Sequence, residues 1–219
     1  NFEYLGEDPH LASRMVVPYI KAVQDRGVMA TVKHFAANNH EWHRKASNSV
    51  VDERTLRELY FPAFEAAVKE ARVGAVMTAY NLVNGEWAPQ HPWLVRGVLR
   101  DEWGFDGVVM TDWWSVYDPL KTIKSGVSLE MPHPDVINEP VVRDLIAAGL
   151  ISVADVDRML GHTMRGFFRF GFYDREQTDP DAVGFGGPHD EIALETARKG
   201  MVLLRNEDGF LPLDRDRVG

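Results

Sequence analysis

The stretch Gly104-Phe-Asp-Gly-Val-Val-Met-Thr-Asp-Trp-Trp-Ser115 decides the fold, because a short apolar run leads there directly into a carboxylate and two indoles. Val108, Val109 and Met110 stand unbroken between Gly107 and Thr111, too few for a helix and without the alternation of a half-exposed strand. That pattern predicts a parallel strand covered on both faces. Asp112 falls at its carboxyl end. In folds that alternate strands with helices, ligands bind where the strands end, so an acid there, walled by Trp113 and Trp114, reads as a site. The competing reading is that Asp112 merely caps the following helix.

Working outward, the same order recurs. Asp8-Pro9 opens a helix with an N-cap and a proline at the first helical position, and Leu11, Met15, Ile20 and Val23 give it an apolar stripe. Residues 28–36 read as a strand carrying Lys33 and His34 together near its end, where neither suits a core. Residues 38–51 are polar and loop-like. Asp52 starts a second helix through Leu56, Leu59, Tyr60, Phe64, Val68 and Ala71. A strand at Ala75-Val-Met77 ends in Tyr80 and Asn81, a turn falls at Asn84-Gly85, and a helix around Leu94 to Leu99 leads back to the opening stretch. A helix near 117–124 and a strand at 127–131, stopped by Pro132, complete the series.

Successive helix-and-strand units with crossover-length spacings call for a parallel sheet with helices outside. The residues at the strand ends are Lys33 and His34, Tyr80 and Asn81, Asp112, and Glu130. In a parallel sheet these side chains emerge at one rim, which favours a barrel or open sheet with an active edge. Two more helices follow, one over 141–148 stopped by Gly149, the other opened by the capping box Ser152-Val-Ala-Asp155. Residues 174–190 are rich in Asp, Pro and Gly and read as a linker. A helix at 191–199 and a strand at Met201-Val-Leu-Leu204 then begin a further unit.

Composition narrows the function. The chain has 219 residues, 45% hydrophobic and 26% charged, the balance of a globular domain. A formal net charge of −9 offers no basic stripe for a phosphate backbone, and no apolar run is long enough for a membrane helix. Nucleic acid and membrane are excluded as expected partners. Without cysteine there is neither a disulfide nor a thiolate metal site, and localisation stays open because no leader is recognisable. His40-Glu-Trp-His43 spaces its histidines three apart, which fails the four-residue spacing of the zinc-protease helix, so no metal is expected. A Schiff-base role for Lys33 finds no neighbours arranged to lower its pKa. A carbohydrate site accounts for more of these residues. Lysine, histidine and carboxylates hydrogen-bond sugar hydroxyls, and tryptophan covers apolar ring faces.

At this point the motifs become recognisable. Val32-Lys-His-Phe35 with Asn38-Asn39, Met77-Thr-Ala-Tyr-Asn81, Gly104 to Trp113, and Asn1-Phe-Glu-Tyr4 with Glu7-Asp-Pro9 together resemble glycoside hydrolase family 3, most closely its β-glucosidase branch. The tail, Ala197 to Asn206 with Leu211-Pro-Leu213, is similar to the start of that family's second domain. The resemblance implies a partial TIM-type (β/α)8 barrel of about four βα units over residues 1–173, a linker over 174–190, and the first elements of an α/β sandwich domain over 191–219. It implies Asp112 as catalytic nucleophile, Lys33, His34 and Tyr80 as residues holding the sugar, and Trp113 packed beside it. Glu130 receives no such role and is expected to be a structural partner at the rim. No cofactor is implied, and the expected partner is a small saccharide.

The family's upstream strands, with an acid and an arginine that contact the sugar, are not in this segment, and the acid/base glutamate of its glucosidase members is expected beyond Gly219. The segment is therefore expected to be an incomplete, inactive piece of a retaining, exo-acting β-glycosidase. Its loop Ala36-Ala-Asn-Asn39 lacks the Gly-rich pattern of members that use a histidine acid/base on N-acetylglucosaminides. A β-xylosidase, a β-N-acetylglucosaminidase and a non-catalytic sugar-binding scaffold remain the alternatives.

Overall fold

The computed structural model describes residues 4–178, 187–214 and 216. The chain forms two compact units, Asn1–Glu176 and Gln177–Gly219.

The first unit is built on a parallel sheet in the order β1 (Thr31–Phe35), β3 (Ala75–Thr78), β6 (Val108–Met110). Its register pairs Thr31 with Ala75 and Ala75 with Val108, so the three carboxyl ends lie side by side. The expected fourth strand at 127–131 is reduced to one parallel bridge, Met110 to Leu129. The cause is local. The Ser128 hydroxyl accepts the Val109 N–H at 3.0 Å, while the N–H groups of both Ser128 and Leu129 donate to the Val109 carbonyl at 2.8 and 3.1 Å. A side chain has taken over a ladder position, and the pairing shifts around it.

Helix α1 (Pro9–Gln24) starts as expected. Asp8 Oδ1 accepts from the N–H groups of His10 and Leu11 at 2.8 and 3.0 Å, and Pro9 occupies the first helical position. Its buried face runs through Ala12, Val16, Val17 and Ile20, whereas Leu11 and Met15 are exposed. The apolar face is thus rotated from the expected stripe. A similar correction applies downstream. Between α2 (Glu53–Thr55), capped by Asp52, and α3 (Pro62–Lys69), residues Leu56–Tyr60 form a π-turn, closed by Phe61 N–H to Leu56 C=O at 2.8 Å. The wider turn changes the phase of the helix. Leu56, Phe64, Val68 and Ala71 are buried, while Leu59 points to solvent. These side chains meet Phe35, Phe61 and Trp103 in the core, where Phe35 and Phe64 pack edge to face at 5.1 Å.

The segment between β1 and α2, expected as loop, carries β2 (Asn48–Ser49), which pairs in parallel with β4 (Leu82–Val83). β4 turns back into β5 (Glu86–Trp87) through Asn84-Gly85, both at positive φ, as a tight two-residue hairpin requires. A π-helix, Pro92–Glu102, precedes β6, and α4 (Pro119–Ser125), α5 (Glu139–Ala147) and α6 (Val153–Arg169) follow it. The capping box at Ser152 and Asp155 is present.

In the second unit α7 spans Pro188–Gly200. Residues 201–204 form no strand, and Met201, Val202, Leu203 and Leu204 are exposed. A strand exists only as a pair, and among the described residues none lies alongside this segment. Of the linker expected at 174–190, residues 179–186 lie outside the described residues.

Candidate active site

The carboxyl ends of β1, β3 and β6 supply the rim. β6 points its apolar side chains into the core, and the turn after Thr111 brings Asp112 up at the strand's end. Thr111 N–H is held by the Leu129 carbonyl and its hydroxyl accepts the Met131 N–H, both at 3.0 Å, so the turn is fixed against the neighbouring segment. Asp112 is 6% exposed. Its Oδ1 accepts the Trp113 N–H at 2.7 Å. Its Oδ2 lies 3.4 Å from His34 Nε2 and receives no hydrogen bond of ordinary geometry from the described residues. The cap of α4 is a different acid, Asp118, whose Oδ1 accepts the Lys121 N–H at 3.0 Å. The capping role therefore does not belong to Asp112.

His34 reaches the same place because β1 is irregular at its end. The register slips between Val32 and Phe35, and the peptide bonds Lys33–His34 and Phe35–Ala36 are cis. Across that bulge Lys33 is exposed while His34 and Phe35 are buried. Tyr4 donates its phenolic O–H to the His34 carbonyl at 3.2 Å. Asn81 ties β3 to β1 by donating from Nδ2 to the carbonyls of Ala36 and Ala37 at 3.3 and 3.2 Å.

Tyr80 is buried beside Asp112. Its phenol is pushed up to about 12, first by burial and then by the negative charge of Asp112. It is therefore a protonated donor at any ordinary pH. Arg44 lies over the Tyr80 ring with its guanidinium carbon 4.3 Å from the centroid, and the Lys45 ammonium is 5.2 Å from the same ring. Arg44 is held in turn by Glu41 at 2.6 Å, and Glu41 by Asn38 Nδ2 at 3.2 Å. Trp113 and Trp114, which follow the acid directly in the chain, pack edge to face at 5.8 Å and are about half exposed.

Of the residues singled out from the sequence, Asp112, His34 and Tyr80 converge. Trp113 adjoins them through its backbone N–H, and Lys33 stands exposed one residue before His34. Glu130 is buried and accepts the N–H groups of Val136 and Ile137, at 3.1 and 2.6 Å, which makes it the anchor of the turn before α5. His43 lies against Trp42, ring edge to face at 5.0 Å. Among the described residues no group of three or more His, Asp or Glu could hold a metal ion, and no helix is long and apolar enough to cross a membrane. Sequence reasoning missed Arg44 and also Tyr117, whose phenolic O–H donates to the Tyr80 carbonyl. Arg44 carried one weak signal, a cation three residues after Glu41 in an otherwise unexplained polar loop. Tyr117 carried none.

Residues 2–165 match the glycosyl hydrolase family 3 N terminal domain. The chain is 42% identical over 217 residues to thermostable β-glucosidase B of Acetivibrio thermocellus, covering 98% of this chain and 28% of that protein. It is 41% identical over 218 residues to an exo-α-(1→6)-L-arabinopyranosidase of Bifidobacterium longum, covering 99% and 28%. Among solved structures, β-glucosidase 3B of Thermotoga neapolitana in complex with glucose superposes with a TM-score of 0.83 at 38% identity, covering 97% of this chain and 30% of that one. The Kluyveromyces marxianus β-glucosidase in complex with glucose gives 0.87 at 35%, covering 97% and 26%. The parallel strands with outer helices are thus part of a TIM-type barrel, and the chain spans between a quarter and a third of the length of these relatives. With a family match over most of its length and a convergent rim at the expected strand ends, this chain belongs to glycosyl hydrolase family 3.

Proposed function

We propose that this chain carries the nucleophile side of a retaining, exo-acting β-glycosidase that removes terminal β-D-glucosyl residues. In the first step an Asp112 carboxylate oxygen bonds to the anomeric carbon while the bond from that carbon to the leaving oxygen breaks, and the leaving oxygen takes a proton from an acid outside residues 1–219. Water then attacks the same carbon, gives its proton to the conjugate base of that acid, and releases the sugar from Asp112. Two displacements return the original anomeric configuration. They require the second carboxyl group about 5 Å from the first.

The observation that carries this reading is the divided state of the Asp112 carboxylate. One oxygen is held by the Trp113 N–H, and the other, buried and near His34 Nε2, keeps its acceptor capacity. By contrast, both oxygens of the buried Glu130 carboxylate accept main-chain N–H groups. Tyr80, kept protonated beside the carboxylate, is a donor available to it and to the sugar. Lys33 and His34 offer donors to sugar hydroxyls, and the half-exposed Trp113 offers an apolar face to the sugar ring. Segment boundaries near residues 173 and 190 and a start of the second domain at 191–219 form part of the same proposal. So does inactivity of the segment by itself, because the acid and the remaining strands are supplied by the rest of the enzyme.

The 41% identity to an arabinopyranosidase favours a second substrate reading, an α-L-arabinopyranoside, processed by the same two steps. The test of the mechanism is covalent trapping. The complete enzyme is incubated with a 2-deoxy-2-fluoro-β-glucoside bearing a good leaving group and digested. The label is expected on the peptide containing Asp112, and turnover without any label there would overturn the assignment. A sugar-binding scaffold without chemistry would take no label at all. Parallel rates with aryl β-glucoside and aryl α-L-arabinopyranoside choose the substrate.

A further inference from the structure

We infer that Tyr117 is a positioning residue for this reaction, setting the strand-end residue Tyr80, and through it the Asp112 carboxylate, by a hydrogen bond to the Tyr80 main chain. The inference deepens the reading of Asp112 as nucleophile and rests on it. Tyr80 lies beyond the last ladder bond of its strand. β3 ends at Thr78, and the Ala79 N–H to Phe35 C=O bond at 2.7 Å is its last main-chain tie to β1. Past that point Asn81 Nδ2 holds the Ala36 and Ala37 carbonyls and the Asn81 carbonyl accepts the Ala88 N–H at 3.0 Å, while the Tyr80 carbonyl is met by a side chain. Tyr117 donates its phenolic O–H to the Tyr80 carbonyl, at 3.5 Å.

The donor itself is built in. The Tyr117 ring stacks on Trp87, centroids 4.4 Å apart at 22°. Trp87 is fixed by its pairing with Leu82 in the β4–β5 hairpin and by its indole N–H, which donates to the Lys45 carbonyl at 3.1 Å. The segment carrying Tyr117 is anchored at both ends. The Ser115 hydroxyl donates to the Asp112 carbonyl at 2.8 Å, and Asp118 caps α4. The distance along the chain from Asp112 to Tyr117 is therefore held, and Tyr117 transfers that position to Tyr80. Burial, followed by the charge of Asp112, pushes the Tyr117 phenol up to about 12, so it stays a donor throughout the working pH range. Arg44 and Lys45 cover the Tyr80 ring. The tyrosine is thus located by cations on its ring and by Tyr117 on its backbone.

The test uses the complete enzyme and a double-mutant cycle of Tyr117→Phe and Tyr80→Phe, with rates normalised to sites titrated by the fluoro-glycoside so that unfolded protein drops out. Tyr117→Phe keeps the stack on Trp87 and removes only the hydroxyl. We expect its kcat to fall about tenfold with KM within about twofold, the split expected when a reacting group is displaced and binding is retained. In the Tyr80→Phe background the same change is expected to cost less than about twofold, because the residue it positions has lost its function. A kcat for Tyr117→Phe within twofold of the parent overturns the inference, and so does a full tenfold loss that persists in the Tyr80→Phe background. Asp112→Asn run alongside separates the two claims. If Asp112→Asn retains turnover, the nucleophile reading fails. If it is inactive while Tyr117→Phe is normal, only the role of Tyr117 fails.

Discussion

The same three strands end in two different chemistries. At their carboxyl ends sit Asp112, His34 and Tyr80, buried and close, with a carboxylate oxygen whose acceptor capacity is unspent. At their amino ends sits Arg100, 8% exposed, with its donors given to main-chain carbonyls: Gly126 at 3.1 and 2.9 Å, Phe105 at 3.0 Å and Gly107 at 2.7 Å. Burial pushes the Arg100 guanidinium down, to about 9, but those bonds require its N–H groups and keep it charged at neutral pH. Two concavities of about 360 and 300 Å³ open at this end, bordered by Arg72 and Arg169. The nearby arginines bond carbonyls there as well, Arg169 to Arg72 and Arg165 to Asp106. Volume is therefore a poor guide in this molecule. Polar atoms that close on the backbone hold the fold, and polar atoms left over at the rim are available to a substrate.

The sharpest way to break that contrast is to remove one group from each end in the complete enzyme. Asp112→Asn is expected to reduce turnover of an aryl β-glucoside by on the order of 10⁴ or more while the denaturation midpoint stays near that of the parent. Arg100→Leu should do the reverse. Three carbonyl positions lose their donor, for a loss of about 3 kcal/mol in stability, while kcat/KM of the folded fraction stays within a few-fold of the parent. Equal losses of stability from both variants, measured by denaturant unfolding, would erase the distinction between the two ends.

Much of this arrangement was legible in the sequence, and the reasons differ by feature. The strands at Val108–Met110 and Ala75–Thr78 followed from apolar runs whose burial on both faces leaves no alternation. The caps at Asp8, Asp52 and Ser152 followed from bonds made within three residues. Asp112 was found because a strand end is visible locally, and its expected role came from family motifs. What failed depends on partners distant in the chain. The strand at 127–131 gave way to one hydroxyl bonding across to Val109, and residues 201–204 have no described neighbour to pair with. The outward turn of Leu59 followed from a π-turn that no propensity announces. Tyr117 acts through a ring thirty residues upstream, and nothing in its own neighbourhood marks that contact.

Two further changes probe stability at lower amplitude. Gly107→Ala would place its Cβ 2.5 Å from the Gly74 carbonyl oxygen and 2.7 Å from the Phe105 ring, and the carbonyl cannot yield without moving β3. A loss of about 1–3 kcal/mol in unfolding free energy is expected, with site titration unchanged. Acid should act in the same direction. Burial lowers the pKa of His91, whose Nδ1 accepts the Leu94 N–H, and burial together with the charge of Arg100 lowers that of His162. The folded chain then binds fewer protons than the unfolded chain below the ordinary histidine value of about 6.5. Stability is full above that value and declines as the pH falls through it toward the lowered folded values. Denaturant midpoints at pH 7.5, 6 and 5 should fall in that order, and less steeply in His91→Asn, which keeps a capping acceptor.

The smallest effect is the most discriminating, because it opposes two glycines of one helix. A Cβ on Gly166 would meet Val108 Cγ2 at 2.8 Å, on the face of α6 that packs against β6. A Cβ on Gly161, five residues earlier, meets nothing within 4 Å. Both backbones are helical, so the intrinsic gain from replacing glycine with alanine is the same at each, about 0.5–1 kcal/mol from reduced freedom of the unfolded chain. Gly161→Ala should realise that gain and raise the midpoint. Gly166→Ala should lower it by about 1 kcal/mol or more, since Val108 is fully buried and has no room to retreat. If both substitutions stabilise, α6 does not press on the sheet as closely as 2.8 Å implies. If both destabilise, the outer side of α6 is covered in the complete enzyme, and the surface around Gly161 belongs to an interface rather than to solvent.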